Sequence, residues 1–547
     1  MNTTDDQRKN GDPIVSPSIP TTAWLADPRV YAVHRLDAHS DHACWSRSPV
    51  DGEGTDLRQS LDGEWRVRVE TAPTGRFPDG TSDGPDWSSD MSPLFAAPEF
   101  DDSSFSRVQV PSHLETAGLL APQYVNVQYP WDGHEDPKAP AIPEHGHVAV
   151  YRREFDADGE VAQAVREGRP VTLTFQGAAT AIYVWLNGSF VGYAEDSFTP
   201  SEFDVTDAIK VDGNVLAVAC YEYSSASWLE DQDFWRLHGL FRSVELTAQP
   251  HVHVENMQLE ADWDAESGTA SLDATLFVRN ASDAATISAT LKDSEGNVVW
   301  EASTNADANT TFASGSLQGL EPWSAESPSL YELEVNVIDQ ADNIVEAAVQ
   351  KVGFRRFRIE NGIMTLNGKR IVFKGADRHE FDAKRGRSIT EQDMIDDVIF
   401  CKRHNINAIR TSHYPNQERW YDLCDEYGIY LIDETNLETH GSWCLPGDVL
   451  TEETAVPGSK AHWEGACVDR VNSMVRRDYN HPSVLIWSLG NESYTGDVFR
   501  AMYKRVHDID PNRPVHYEGV THNRDYDDVT DIETRMEAGK VEVMKVV

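Results

Sequence analysis

The sequence predicts a multidomain protein of mixed β and α/β class: two β-sandwiches in succession, then an incomplete (β/α)8 barrel. Three observations carry this expectation. The length, 547 residues, exceeds what one core serves and suits about three or four domains. Between about residues 58 and 351, short alternating apolar–polar segments are punctuated by Gly, Pro, Asp and Asn turns, as in antiparallel sandwiches. After Phe354 strands alternate with helical runs, the texture of repeated βα units around a parallel sheet.

In chain order, residues 1–36 are expected to form a flexible N-terminal segment. Its polar start, 1–22, has scattered Pro and no apolar stretch of the secretory kind, and reads as a flexible lead-in. Residues 37–249 hold alternating runs at 63–69, 148–155, 171–175, 181–186 and 215–223. They predict one sandwich, with Asn187-Gly188 as a hairpin turn. A second series at 253–259, 269–279, 286–292 and 330–338, within 250–355, suits an immunoglobulin-like sandwich of about 100 residues. The barrel region, 356–536, shows strands at 371–376, 408–412, 429–433, 484–489 and 515–517, with helices at 391–404, 417–427, 467–479 and 498–509. These are five strands where a closed barrel has eight. The uncovered edges and interior predict association, either self-association or completion by another chain. Residues 537–547 read as a divergent tail.

Forty-seven basic residues against ninety-one acidic give a net charge of −44. That balance disfavours nucleic acid and anionic membranes and suits a neutral small-molecule ligand. No stretch approaches the roughly 18 apolar residues of a membrane span. The six cysteines, Cys44, Cys220, Cys401, Cys424, Cys444 and Cys467, show no CxxC spacing; free thiols in a reducing cytoplasm are expected.

The sharpest chemical signal is the buried-looking strand that runs into Ser488-Leu489-Gly490-Asn491-Glu492-Ser493. A carboxyl at the exit of a barrel strand suits a group that hands a proton to a departing glycosidic oxygen and later takes one from water. Asn491 would hydrogen-bond the hydroxyl beside the reacting carbon. The structural alternative is a helix cap, with Asn491 capping the next helix and Glu492 facing its dipole. Every other strand exit also bears functional groups: Asp377-Arg378-His379-Glu380, Arg410-Thr411-Ser412-His413-Tyr414-Pro415, Asp433-Glu434 with Asn436–Gly441, and Tyr517-Glu518. Five such clusters at the end that forms the active face of barrels predict a site there. Glu438 and His440 are two apart, so in extended chain they share a face and can hold a cation. One His among carboxylates suits Mg²⁺ or Mn²⁺ better than Zn²⁺. Alone, the pair also reads as a surface ion pair.

Several motifs together resemble the glycoside hydrolase family 2 β-galactosidases, the large cytoplasmic lactases. They are Asn126-Val127-Gln128-Tyr129-Pro130, Asp196-Ser197-Phe198-Thr199-Pro200-Ser201-Glu202-Phe203-Asp204, Asp231-Gln232-Asp233-Phe234-Trp235-Arg236, Asp377-Arg378-His379-Glu380, Asn436–Gly441 and Ser488–Ser493. The resemblance, over roughly residues 37–536, implies a jelly-roll sugar-binding domain, an immunoglobulin-like domain and a TIM barrel. It implies hydrolysis of terminal β-galactosides such as lactose by double displacement with retention, and a cytoplasmic location. By motif, Glu492 would be the acid/base, and Glu438, His440 and Glu492 would surround a Mg²⁺. Asn126 and Asp196 would bind galactose hydroxyls, Asp196 also helping to hold a Na⁺. His379, His413, Asn491 and Tyr517 would line the galactose subsite, with Arg410 supporting the nucleophile. That nucleophile, a Glu in a Glu-Tyr motif, has no matching segment in this sequence; Glu518 is a stand-in only by position. A C-terminally truncated chain with little turnover alone is therefore expected, working as a homo-oligomer or with a complementing C-terminal chain. A β-glucuronidase or β-mannosidase of the same family, and a non-catalytic carbohydrate-binding fragment, remain the alternative readings.

Overall fold

The computed structural model describes residues 20–46, 56–71, 93–443 and 452–534, together with the backbone of Lys545–Val546. Cys444 and nearly all of the expected divergent tail lie outside the described residues.

In the first sandwich a seven-stranded antiparallel sheet faces a four-stranded one. Its central strands, Ala181–Leu186 and Asn214–Tyr221, are buried along their whole length. Alternation explains how both faces can be covered. Val184, Leu186, Leu216 and Val218 face the second sheet, while Tyr183, Trp185, Ala217 and Ala219 face an aromatic layer on the other side. Asn187 and Gly188, at φ 54° and 85°, make the expected turn between Ala181–Leu186 and Ser189–Glu195.

The aromatic layer corrects the expectation that residues 1–36 are a flexible lead-in, at least from residue 20 onward. Trp24 is buried and stacks on Tyr183 with ring centroids 5.7 Å apart. Ala32–Val33 then adds an antiparallel strand against Tyr193 and Ala194. A polar lead with one Trp-Leu pair carries no periodicity, so its docking was not readable. Farther on, Ala43–Trp45 pairs with Ile344–Val352 and becomes an edge of the second sandwich. The second sandwich packs a three-stranded sheet on this five-stranded one around Leu272, Leu276, Ile287, Leu291, Leu333 and Val335.

The third region is a parallel sheet with helices between its strands: β1 Gly375–Arg378, α1 Glu391–Arg403, β2 Ala408–Thr411, α2 Glu418–Tyr427, β3 Tyr430–Glu434, α3 Ala461–Asp478, β4 Val484–Ser488, α4 Asp497–Ile509, β5 Val515–Tyr517 and β6 Ile532–Glu533. Thr390 and Asp393 form a capping box that starts α1. Two boundaries differ from the sequence reading. The first strand begins at Gly375 rather than 371, because Lys369–Arg370 closes a hairpin with Ile363–Leu366. A sixth strand of two residues, too short for a periodic signal, follows the five expected. β6 in turn pairs antiparallel with Lys545–Val546. On the opposite side β1 has no further strand among the described residues, and Gly375, Ala376 and Asp377 are exposed.

The sandwich and barrel share one core. Tyr129, Trp131, Trp228 and Leu229 pack with Trp463, Trp487 and Leu489. Buried Arg242 crosses from the sandwich to Glu380 (2.8 Å) and the Pro415 carbonyl (2.9 Å). Arg470 of α3 returns to Glu230 at 2.9 Å. Cys44, Cys220, Cys401, Cys424 and Cys467 are free thiols.

Candidate active site

The functional side chains gather where β1–β5 end. Buried β4 delivers Asn491 and Glu492 through Gly490, whose φ of 136° is one that L residues avoid. A Cβ there would lie 2.5 Å from the Leu437 carbonyl oxygen, the same oxygen that accepts the Asn491 N–H at 2.8 Å. Gly490→Ala is therefore expected to cost about 1–3 kcal/mol from backbone strain alone. It should also shift Glu492, measurable by denaturant melts and by loss of ion binding.

The loop after β3 carries Glu438 and is pinned by the sandwich as well as by the barrel. The Glu438 N–H donates to the Leu229 carbonyl (2.8 Å), and the Asp231 N–H donates to the Glu438 carbonyl (2.9 Å). Asp231 also accepts the Gly441 N–H at 2.7 Å and pairs with Arg236 at 2.6 Å. Burial pushes the Asp231 carboxyl up to about 7, against the opposing pull of Arg236. The segment 229–231 of one domain thus fixes a loop of another.

Within this frame, His440 Nδ1 lies 2.9 Å from Glu492 Oε2 and 3.7 Å from Glu438 Oε1. Asn491 Nδ2 donates to Glu438 Oε2 at 2.9 Å. Burial alone would raise the Glu492 carboxyl, but His440, His413 and Arg410 outweigh it and hold the group below its ordinary value. In this arrangement it is an anion at neutral pH.

Glu434, at the end of β3, organises the adjoining wall. Its two oxygens accept from Arg410 Nε (2.6 Å), Ser488 Oγ (2.6 Å) and the His413 ring at Nδ1 (2.6 Å). Arg410 Nη2 continues to Asn491 Oδ1 at 2.9 Å. Burial opposes ionisation of Glu434, yet Arg410 and His413 bring it down to about 2. A carboxyl depressed on folding stabilises the fold above its unfolded value near 4.5 and loses that contribution as pH falls towards 2. Acid unfolding of the parent should therefore steepen between pH 4.5 and 2, and Glu434→Gln should flatten that limb.

The remaining predicted residues fall in different places. His413 joins His379, their rings 5.6 Å apart. Desolvation of the His379 ring against its neighbours, with the positive charge of His413 and Arg387 beside it, pushes it down to about 4, so it is a neutral imidazole at pH 7. Arg410 also faces Asp377 at 3.5 Å. Asn126 stands exposed just past Gln123–Val125. Tyr517 is fully buried, and its hydroxyl is engaged with the Ser493 backbone, accepting the Ser493 N–H at 3.0 Å. It braces the residue after Glu492 and presents no hydroxyl to a cavity. Asp196 is buried and accepts from Asn436 Nδ2 (2.7 Å), the Phe198 N–H (3.2 Å) and Thr199 Oγ1 (2.6 Å). Glu518 is buried beside Arg410, Glu492 and Glu434, and burial raises it to about 8. The sequence reading placed Glu434 only in a strand-end cluster and Asp231 only in a motif. Nothing in either residue's spacing marks it as an organiser.

Comparison with known proteins follows the same three-part division. Residues 58–250 match the sugar binding domain of glycosyl hydrolases family 2, residues 252–355 match glycosyl hydrolases family 2, and residues 357–546 match its TIM barrel domain. The β-galactosidase large subunit of Leuconostoc lactis is 38% identical over 94% of this chain and 81% of its own length. The chain belongs to glycosyl hydrolases family 2. β-Galactosidase BgaC of Bifidobacterium adolescentis is 60% identical over 97% of this chain but 50% of its own length; a β-galactosidase of Lactobacillus delbrueckii subsp. bulgaricus is 50% identical over 94% and 49%. This chain spans about half the length of those two relatives. The β-glucuronidase from Ruminococcus gnavus in complex with D-glucuronic acid has the same fold, with TM-score 0.65 and 21% identity over 87% of this chain and 75% of that one.

Among the described residues of this family 2 chain, two groups have the composition of a metal site: Glu438, His440 and Glu492, and Asp41, Asp478 and His481. The first fits an ion. Glu438 Oε1 is buried with no hydrogen-bond partner, and the three ligand atoms lie within 4.8 Å of one another. An unpaired buried carboxylate oxygen is costly unless a cation completes it. The second does not fit. Both His481 nitrogens are taken, by Asp425 at 2.6 Å and Asp41 at 2.9 Å. Burial disfavours charge on His481, but the two carboxylates raise its pKa well above 6.5 and make it an imidazolium. Asp196, expected to help hold a Na⁺, already has both oxygens hydrogen-bonded and does not fit that ion.

Proposed function

We propose that this family 2 chain contributes the proton-transfer half of a retaining β-galactosidase acting on lactose-like β-galactosides. The observation that supports this best is the meeting of Glu492, His440 and the unpaired Glu438 oxygen at the exit of β4. The β-galactosidase names of its relatives favour galactose over glucuronic acid or mannose. Glu492 protonates the glycosidic oxygen and then, as the base, takes a proton from water. Its depressed pKa suits the base; closing of a sugar over the site removes water, raises the carboxyl and prepares the acid. Asn491, fixed by Arg410 and Glu438, and the neutral His379 bond sugar hydroxyls, joined by His413 and Asn126, while buried Asp196 orients Asn436 behind them. Glu438, His440 and Glu492 would hold Mg²⁺, which when bound adds positive charge beside the leaving oxygen.

Double displacement also needs an ionised carboxyl roughly 5 Å from the acid. Glu518 does not suit that role, since a group raised to about 8 is protonated at pH 7. We infer that the attacking carboxyl comes from a further polypeptide segment that pairs with the open edge of β1, and that this chain alone turns over little. Its free thiols suit a reducing, cytoplasmic setting.

Rates on nitrophenyl β-galactoside, β-glucuronide and β-mannoside in an active assembly test the sugar; a glucuronide preference would sink the reading. Mg²⁺ titrated into this chain by calorimetry tests the ion. Glu438→Gln should weaken Mg²⁺ binding by more than about 10–100-fold, the range lost when only an outer partner of a ligand is removed. Equal affinity in parent and variant would remove the ion from this site.

A further inference from the structure

Strand β5 sets a polar residue, His516, where TIM barrels pack branched apolar ones. The side chain is buried, at 5% exposure. The pleat explains its direction. Its neighbours Val515 and Tyr517 join the helix-side core, with the rings of Tyr517 and Phe499 of α4 centred 4.4 Å apart. His516 therefore faces the other way, beside Ser488, its register partner on β4.

The protons in this corner can be placed by counting. Glu434 is ionised and only accepts, so the Ser488 hydroxyl directs its one proton to Glu434 Oε2 at 2.6 Å. Towards His516 Nδ1, 3.0 Å away, the same oxygen can only accept, so Nδ1 carries the ring proton. Burial, with the charge of Arg410 beside it, holds the His516 ring down to about 4 against the pull of Glu434. At pH 7 the ring thus has that one proton, and Nε2 is bare. It accepts from Thr534 Oγ1 at 2.6 Å, just past β6. A line of donors runs from Thr534 through His516 and Ser488, every hydrogen pointing towards the carboxylate, and each bond strengthens the next. Glu434 in turn holds Arg410, whose Nη2 reaches Asn491 Oδ1 at 2.9 Å.

We propose that His516 is a positioning residue for the galactoside site: as the Nδ1–H tautomer it holds Ser488 on Glu434 and so ties β6 to the setting of Arg410 and Asn491. The inference rests on the galactosidase reading for what the site binds, and adds the residue that links its sugar-facing amide to β6. A side chain that only filled space would be indifferent to its tautomer. Here the Nε2–H form would set two lone pairs against each other, unless Ser488 turned its proton away from Glu434.

The test uses the full chain, with methyl 1-thio-β-D-galactopyranoside as an unreactive probe for calorimetry and ¹⁵N-labelled histidine for spectroscopy. The His516 signals, assigned by their loss in His516→Asn, should show a protonated Nδ1 and a bare Nε2. His516→Leu removes both nitrogens and should weaken probe binding by about three- to tenfold, the worth of one hydrogen bond. His516→Asn keeps an N–H where Nδ1 stands. It should retain most of the affinity, which shows that the leucine effect is not misfolding. Thr534→Val, the same shape without the hydroxyl, should weaken binding in the same direction and let the ring proton divide between the two nitrogens. A parent ring protonated at Nε2, parental affinity in His516→Leu, or equal losses in the leucine and asparagine variants would each overturn the positioning role while the galactoside reading stands. Parental affinity and ring spectrum in Thr534→Val would overturn the link to β6. If the parent does not bind the probe, the galactoside reading falls and the positioning role with it.

Discussion

Glu492→Gln is expected to lower kcat/KM on lactose by about 10²–10⁴-fold in an active assembly, the usual worth of a positioned proton donor. The amide keeps the size of the carboxyl and its place beside His440 but can neither give nor take the proton. The loss should shrink on 2,4-dinitrophenyl β-galactoside, whose leaving group departs without protonation, and azide should restore turnover by attacking where water no longer can. A uniform loss on both substrates with no azide effect would show that Glu492 only shapes the site. Mg²⁺ affinity, measured alongside, separates loss of the proton from loss of the ion.

The second large effect belongs to Glu434, a group that touches no substrate. Glu434→Ala leaves Arg410 and His413 facing one another with the anion between them gone. Breaking a buried pair by removing one partner typically costs about 3–5 kcal/mol. Denaturant melts should show that loss. Asn491, tied to Arg410, should lose its orientation, so KM for galactosides rises as well. Arg410→Met together with Glu434→Leu removes both charges. If the double variant recovers most of the stability but none of the binding, the ion pair positions the site more than it stabilises the fold. A small stability change in the single variant would mean that water replaces the carboxylate.

What could be read from the sequence follows from how local each signal is. Strand β4 is continuous apolar chain ending in Asn491-Glu492, so both the element and its chemistry were legible from a few residues. The Glu438–His440 spacing was equally local. The Asn187-Gly188 turn follows from the positive φ that those residue types accept. Glu434 was not legible as an organiser, because Asp433 and Glu434 are adjacent carboxyls and only the pleat decides their fates. Asp433 accepts from Tyr421 at 2.7 Å, and Glu434 accepts from Arg410 on the other face. The pinning of Glu438 by Leu229 and Asp231 joins residues some two hundred positions apart, and no periodicity encodes such a meeting. Trp24 and the strand at Ala32–Val33 escaped for a related reason: a lone anchor in polar chain has no pattern until its partners are in place.

The early segment has a bearing on how the protein is made. Arg35 pairs with Asp469 at 2.5 Å and Asp41 with His481 at 2.9 Å, while Ala43–Trp45 completes the five-stranded sheet by pairing with Ile344–Val352. A ribosome releases the first halves of these contacts hundreds of residues before the second. The leading strand must therefore wait, tethered to its own sandwich through Trp24, until late-synthesised helix and loop arrive. Such long-range closure slows the last folding step and lengthens the time that unfinished surfaces stand open to chaperones or to neighbouring copies.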